Sequence, residues 1–378
     1  MAREEELLKE YEKKLIYAWS KANTKSKKRR LLYDLNTFSV ISSLYPSIAK
    51  EYDWENDMTY LELFENTTIP FLDNIMESRD IFSPCFSNII EIFKKVDFPF
   101  YKDYRKQYRY LLEKESQEIM LSFLSEYNED MLSKYKKLIE EDKLFTNNPL
   151  RSSALYCSID SLEESFIYPV TDLKESIYKS SLLAHELGHL YETEIFYQVK
   201  NKSFRKESDI LPFYEVASRS FEYAYLRYLL DNNIHTEDVK LSLRRYYLDL
   251  LVHSYDINII YKLKNIKLNE NGYIVVEDPK VIDYGNKIMD YLNYGLLYIE
   301  NGDMFDFKES FIYGIGNIFS IYLYKNYKED PNNYRKEFRN AILNYPYSKG
   351  IEAFERVGIT KEELLNGSEV TKVLIKAK

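Results

Sequence analysis

Histidine is scarce in this chain of 378 residues, with only four, and cysteine scarcer still, with two. Cys85 and Cys157 form no C-x-x-C pair and are too few for a disulfide framework, so they read as reduced thiols. Ten glycines and ten prolines leave little punctuation, and no internal repeat or low-complexity linker interrupts the chain; long helical periods follow. No uninterrupted apolar run approaches the twenty residues that a membrane-spanning helix needs. The opening, "MAREEELLKEYEKKLIYAW", alternates charges and lacks the apolar stretch of a signal peptide, so the expectation is a cytoplasmic protein without a membrane segment. A formal charge of −9 argues against nucleic acid as a partner, because phosphate contacts need basic surface. The basic stretch "KANTKSKKRR" (21–30) is the exception and reads as a solvated helix end or loop.

Apolar residues make up 45% of the chain, enough for a sizeable core in one large domain or in two lobes around a cleft. Tyrosine stands out at 37 residues. An AT-rich coding bias would explain it, and a tyrosine-lined peptide groove is the alternative. Leu7, Tyr11, Leu15 and Trp19 recur at helical spacing, and 104–142 reads as one long helix or a helical pair. Strand character is confined to two places. One is 153–171, where "SFIYPV" carries β-branched and aromatic residues closed by proline. The other is 266–278, where Asn271-Gly272 between two short apolar runs signals a hairpin. Helices then resume to the end. The fold class is mainly α with a small β element, divided into an N-terminal helical lobe (1–150) and a second region (151–378).

The histidines break this uniformity. In "SLLAHELGHLYETEIF" (181–196), Leu182, Leu183, Leu187 and Leu190 recur at helical spacing, which stacks His185 and His189 on one face. Two imidazoles so placed can bind one zinc ion, and Glu186 beside the first can reach a water on that ion. Such a water titrates near pH 7, so Glu186 can act as general base while the metal polarises a scissile carbonyl. The plainer reading is an amphipathic helix with two partly exposed histidines. Gly188 weighs against it: glycine inside a helix costs about 1 kcal/mol relative to alanine and marks a close approach to the backbone.

A catalytic zinc needs a third protein ligand. Glu192 shares the histidine face but lies seven residues beyond His185, about 10 Å along the helix axis and too far to meet the same ion. Glu207 falls in a loop before a proline. Glu215, in "LPFYEVASRSFEYAYLRYLLDNN" (211–233), is the better candidate. Pro212 opens a helix running to about Leu230, on which Glu215, Ser218, Arg219 and Glu222 share a stripe. Small Ala217 and Ser218 allow close packing on the Gly188 helix. A charged solvent stripe is the competing reading of the same spacing.

"LLAHELGHLYE" followed by "FYEVASRSFEY" resembles the thimet oligopeptidase and oligoendopeptidase F family of zinc metallopeptidases, where a His-Glu-x-Gly-His helix precedes a glutamate in a Glu-x-Ala-Ser-like context. Here His185 and Glu215 are 215 − 185 = 30 residues apart. The resemblance implies one zinc per chain held by His185, His189 and Glu215, with Glu186 as base and Glu222 as a second acidic residue behind the ligands. It implies that Phe166, Ile167 and Tyr168, on a strand edge before the zinc helix, bind the substrate backbone as an added strand. "ESFIYGIGNIFSIYLYKNY" (309–327) resembles the family's Tyr-x-x-Gly helix, making Tyr313 the donor to the oxyanion.

The chain departs from the family in two ways: no histidine follows His253, where the family carries one shortly before the tyrosine helix, and the N-terminal lobe is much reduced. His253 itself reads as a satisfied or partly buried helix histidine, and His235 as a loop residue. The implied function is hydrolysis of short unfolded peptides by a zinc-bound water activated by Glu186. A peptidase-fold protein that binds peptides but turns them over weakly or not at all is the alternative, and a metal-free helical scaffold would make the motif a coincidence.

Overall fold

A computed structural model describes residues 72–73, 76, 79–96, 98, 108–141, 143–144, 155–159, 164–169, 173–197, 213–269, 273–292, 298–344 and 351–377, together with 18 and 21. The amphipathic pattern read at Leu7–Trp19 and the basic stretch at 21–30 fall outside these residues or nearly so. In the first described helix, α1 (Arg79–Val96), Phe82, Phe86, Ile89, Ile90 and Phe93 are buried at helical spacing, with Asp80 in the first turn and Lys94 and Lys95 in the last, each opposite in sign to the local dipole.

Residues 104–142 resolve as a helical pair, α2 (Glu113–Tyr127) and α3 (Glu129–Glu140). Asn128 divides them. Its backbone is extended, and its side chain accepts a hydrogen bond from Met131 N, as a helix N-cap does. An antiparallel hairpin follows, β1 (Leu155–Ile159) and β2 (Glu164–Tyr168), with Cys157 opposite Phe166. The remaining elements are α4 (Ile177–Tyr197), α5 (Val216–Asp231), α6 (Thr236–Lys262), β3 (Ile274–Val276), α7 (Pro279–Leu292), β4 (Asp303–Phe305), α8 (Phe307–Glu329), α9 (Pro331–Asn344), α10 (Ile351–Glu355), α11 (Lys361–Asn366) and α12 (Ser368–Ala377). The fold is mainly α, as the glycine-poor, periodic sequence requires.

The second hairpin is only part of the story around Asn271. Asn271 and Gly272 lie outside the described residues, but the segments on either side are paired, since Asn269 N donates to Tyr273 O and Val275 N to Lys267 O. The longer pairing, however, joins β3 to β4, with Val275 opposite Met304. Strand character is therefore not confined to the two places expected. Three residues with an aspartate at one end carry no period of their own, so β4 is set by its partner rather than by local preference.

The helix α5 occupies the centre. It packs against α4 on one side and α8 on another, α8 packs against α6, and α6 against α1. One hydrophobic core runs from Leu72 to Leu374 and includes residues from both sides of position 150. Many of the tyrosines fill this core: Tyr135, Tyr223, Tyr225, Tyr246, Tyr247, Tyr255, Tyr261 and Tyr322 are almost wholly buried. Several hydroxyls are paired inside it, Tyr127 with Tyr334 at 2.6 Å, Tyr223 with Tyr247 at 3.2 Å and Tyr322 with the Glu363 carbonyl at 2.7 Å. These rings are packing material rather than the lining of a groove. Cys85 is buried and unpaired, and burial pushes its thiol up to about 12. No helix among the described residues is long and apolar enough to cross a membrane.

Candidate metal centre

The first turns of α5 are buried on every side, yet they carry Ser218, Arg219, Ser220 and Glu222. Charges placed there must be paired or bound. The helix α4 brings a second buried polar set against them: His185 is 7% exposed and Glu186 6%. Gly188 makes the contact possible. A Cβ at this position would lie 2.4 Å from Ser218 Cα and 2.5 Å from the Ala217 carbonyl oxygen. The two helices touch backbone to backbone at this point, which is the close approach that a mid-helix glycine signals.

The helix expected to open at Pro212 begins at Val216. Pro212 lies outside the described residues, Phe213–Glu215 form a tight turn, and Glu215 is the N-cap residue. Its carbonyl accepts from Arg219 N at 3.0 Å, while its carboxylate makes no capping bond and points to the histidines instead. Glu215 Oε2 lies 3.2 Å from His185 Nε2 and 3.5 Å from His189 Nε2. Ser218 Oγ donates to the same oxygen at 2.5 Å. On its far side this turn meets α8, where a Cβ on Gly316 would be 2.7 Å from the Glu215 carbonyl oxygen. Two glycines on neighbouring helices thus clamp the turn that carries Glu215.

His185, His189 and Glu215 each offer one ligand atom, all within 4.8 Å of one another. Zinc bonds to imidazole nitrogen and carboxylate oxygen are about 2.0–2.1 Å long, and tetrahedral geometry then separates adjacent donors by about 3.3 Å. The observed 3.2 and 3.5 Å bracket that value, and two imidazoles with one carboxylate form a donor set that zinc takes. The residues present therefore fit a zinc ion. His185 Nδ1 is 3.3 Å from Glu222 Oε2, the outer partner that fixes a metal-binding histidine's tautomer and leaves its other nitrogen free.

The electrostatics follow from crowding carboxylates and imidazoles in the core. Burial works against a charged His185, but Glu215 and Glu222 overcome it and hold its pKa up at about 10. His189 goes the other way, to about 4, because burial outweighs Glu215 and the neighbouring His185 opposes a second positive charge. Burial would raise Glu215, yet the two histidines and Ser218 hold its carboxyl well below the usual range. Glu186 adds its charge to the field at both His185 and Tyr313.

Tyr313, on α8, comes close to this group. Its ring is near-parallel to that of His185, with centroids 6.3 Å apart. Burial lifts the phenol above its ordinary range and Glu215 adds to the effect, so the hydroxyl keeps its proton and is a donor. His253, on α6, lies against the same ring at 5.7 Å. It is half-buried, but not satisfied: Nδ1 is sealed from solvent and has no hydrogen-bond partner among the described residues. Burial and then Arg219 lower its pKa to about 3, which keeps it neutral. His235 stands at the entry to α6 with left-handed backbone, and its Nε2 is 2.9 Å from Glu115 Oε1.

The strand expected to bind substrate is engaged within the chain at Ile167. Ile167 is wholly buried, and its N–H donates to the Lys143 carbonyl at 3.1 Å, with Leu144 bridged beside it. In an antiparallel pair, alternate residues turn their backbone groups away from the partner strand. The outer edge of β2 is therefore occupied at Ile167 by the chain's own 143–144 segment, while the backbone groups of Phe166 and Tyr168 turn toward β1. At Ile167 the backbone N–H of the strand expected to bind substrate is thus already taken. The edge turned away from β2 belongs to β1, at Tyr156 and Ser158, and β1 packs beside α4. Glu192 is buried on α4 and outside the cluster of three, and Glu207 lies outside the described residues. Arg219, one charge on the 215–222 stripe in the sequence, is buried among carboxylates here, and nothing local in the sequence marks it out.

No protein-family model matches the sequence, and no curated protein does. The fold is shared with solved structures. A provisionally assigned oligoendopeptidase F from Bacillus anthracis str. Ames superposes with a TM-score of 0.53 at 11% identity, over 95% of this chain and 68% of that one. A second provisionally assigned oligoendopeptidase F gives 0.52 at 12% identity, over 99% of this chain and 75% of the other. A provisionally assigned peptidase from Chlamydophila abortus gives 0.52 at 14% identity, over 86% and 58%. At these identities the likeness is one of fold: a mainly α, oligoendopeptidase F-like architecture, in a chain that spans only part of each neighbour.

Proposed function

We propose that this protein is a zinc-dependent peptidase of the oligopeptidase type, acting on short unfolded peptides. The observation that carries the reading is the convergence of His185 Nε2, His189 Nε2 and Glu215 Oε2 at separations suited to one tetrahedral ion. The peptidase names of structures that share the fold support it.

Bound zinc would polarise the scissile carbonyl and lower the pKa of an attacking water. The chain's own groups supply the rest. Glu186, buried beside His185, takes the water's proton and returns it to the amine nitrogen that leaves. Tyr313, held protonated by burial, donates to the carbonyl oxygen as negative charge develops there. Glu222 accepts from His185 Nδ1 and keeps the ring turned so that Nε2 faces the ligand cluster. The edge of β1 turned away from β2, which pairs with no other strand among the described residues, would offer the peptide backbone an added-strand partner beside α4. Residues before 151 would complete the cleft that admits short chains and excludes folded ones.

The test uses Glu186→Gln, which keeps the shape of the side chain and removes its basicity. The variant should retain one zinc per chain and lose cleavage of a mixed peptide pool by about 10²–10⁴-fold. Zinc uptake with no cleavage by the wild type would favour a peptide-binding protein that has kept the fold. Absence of zinc in protein supplied with it would refute the proposal.

A further inference from the structure

Arg219 is 5% exposed and lies one turn beyond Glu215. A guanidinium stays charged in any protein environment, so it can be buried only among partners. Nε donates to Asn317 Oδ1 at 2.5 Å, Nη1 to Glu222 Oε2 at 2.7 Å and Nη2 to Asp249 Oδ2 at 3.3 Å. The guanidinium carbon is 4.2 Å from the centroid of the Tyr246 ring and 5.7 Å from that of Tyr313. These partners come from three helices: Glu222 from α5, Tyr246 and Asp249 from α6, and Tyr313 and Asn317 from α8.

Two of the contacts reach the candidate site. Glu222 Oε2, which takes the Nη1 bond, is also the oxygen 3.3 Å from His185 Nδ1. Asn317, which takes the Nε bond, is one helical turn beyond Tyr313 on the same face of α8. The approach of the two helices is tight here as well, since a Cβ on Gly316 would lie 3.1 Å from Arg219 Cγ. One planar group therefore spans from the histidine's outer partner to the helix that carries the tyrosine.

We propose that Arg219 is a positioning residue that sets His185 and Tyr313 in register with each other. Through Glu222 it holds the His185 ring with Nδ1 outward and Nε2 toward the ligand cluster. Through Asn317 and the ring contact it fixes the rotation of α8 at Tyr313. This inference rests on the peptidase reading. It depends on the fork of donors and not on charge alone: a lysine carries the same charge as a single point, without the fixed plane that reaches both Glu222 and Asn317. Burial of an ion pair is in itself close to neutral for stability against apolar packing, which leaves placement as what the residue contributes.

The experiment measures zinc affinity by chelator competition, and kcat and KM on one peptide, for the wild type, Arg219→Lys, Glu222→Gln, their double variant and Asn317→Leu. Each is first checked for wild-type helical content by circular dichroism. Arg219→Lys and Glu222→Gln should each weaken zinc binding about 10–100-fold. The double variant should be no weaker than the worse of the two, because both act through one contact. Asn317→Leu, which cuts only the arm to α8, should lower kcat at least tenfold and leave zinc affinity and KM near wild type. Full losses that add in the double variant would overturn the proposal, as would wild-type affinity in Arg219→Lys or wild-type kcat in Asn317→Leu. If Arg219→Lys does not fold, the Asn317→Leu result decides alone. Wild-type protein that takes up no zinc removes the peptidase reading and this proposal with it.

Discussion

Replacing Gly188 by alanine reverses the usual sign of that substitution. At an open helix position alanine is favoured over glycine by about 1 kcal/mol. Here the new Cβ would stand 2.4 Å from Ser218 Cα, 2.5 Å from Ala217 O and 2.7 Å from Ser218 N, against an ordinary contact of at least 3.4 Å. Relief requires α4 and α5 to part by about 1 Å, and backbone atoms cannot yield by rotating as a side chain could. The helix α5 has no free direction to move, since α8 meets the same turn at Gly316. Overpacking of this kind costs about 1–3 kcal/mol, which cancels or outweighs the gain of about 1 kcal/mol and leaves a net loss of up to about 2 kcal/mol, with a fall of up to a few degrees in Tm. The separation also carries Glu215 away from His185 and His189. Metal sites tolerate departures of about 0.2 Å in ligand distance, so a shift near 1 Å should weaken zinc at least tenfold. Thermal unfolding of the metal-free protein and chelator competition read the two effects separately. A variant that melts higher than wild type and binds zinc equally well would show that the two backbones are not in contact at this point and that Gly188 does not place Glu215 beside the histidines.

Tyr313→Phe should keep zinc affinity and KM while kcat falls about 10²–10³-fold, the usual cost of removing an oxyanion donor; unchanged steady-state kinetics would take Tyr313 out of the mechanism. Asp256, on α6, accepts from Ser310 Oγ at 3.0 Å, and burial, with Glu309 adding to it, raises its pKa from 3.8 to about 7. Between those values the folded chain holds a proton that the unfolded chain releases. Stability should therefore fall as pH rises from about 4 to about 7, by up to about 1.4 kcal/mol per pH unit from this group. Denaturant titrations of Asp256→Asn across pH 5–8 should show a flatter dependence and a variant more stable than wild type at pH 8; identical slopes would show that Asp256 titrates normally.

Much of the protein was open to reading along the chain. Periodic apolar residues and sparse glycine and proline specify helices through local steric and solvation preferences, which act over a few residues and need no knowledge of the fold. The same local chemistry stacks His185 over His189 and makes Gly188 anomalous enough to imply a neighbour. Asn128 as a break in the 104–142 segment follows from the competition of its side chain with the helix backbone, though periodicity alone left one helix or two undecided. Other features have no local signature. Whether Glu192, Glu207 or Glu215 stands by the histidines depends on how closely α5 packs on α4. The start of α5 at Val216, which frees the Glu215 carboxylate from capping, depends on the clamp between Gly188 and Gly316. The strand β4 exists because β3 offers it a partner, and the edge of β2 is taken at Ile167 because residues 143 and 144 reach it. Arg219 looked like one charge on a stripe until three helices closed around it. Sequence determined which groups could do chemistry, because rotamer, propensity and periodicity are properties of neighbours in the chain. Tertiary structure alone decided which of them meet, because burial and distance are properties of neighbours in space.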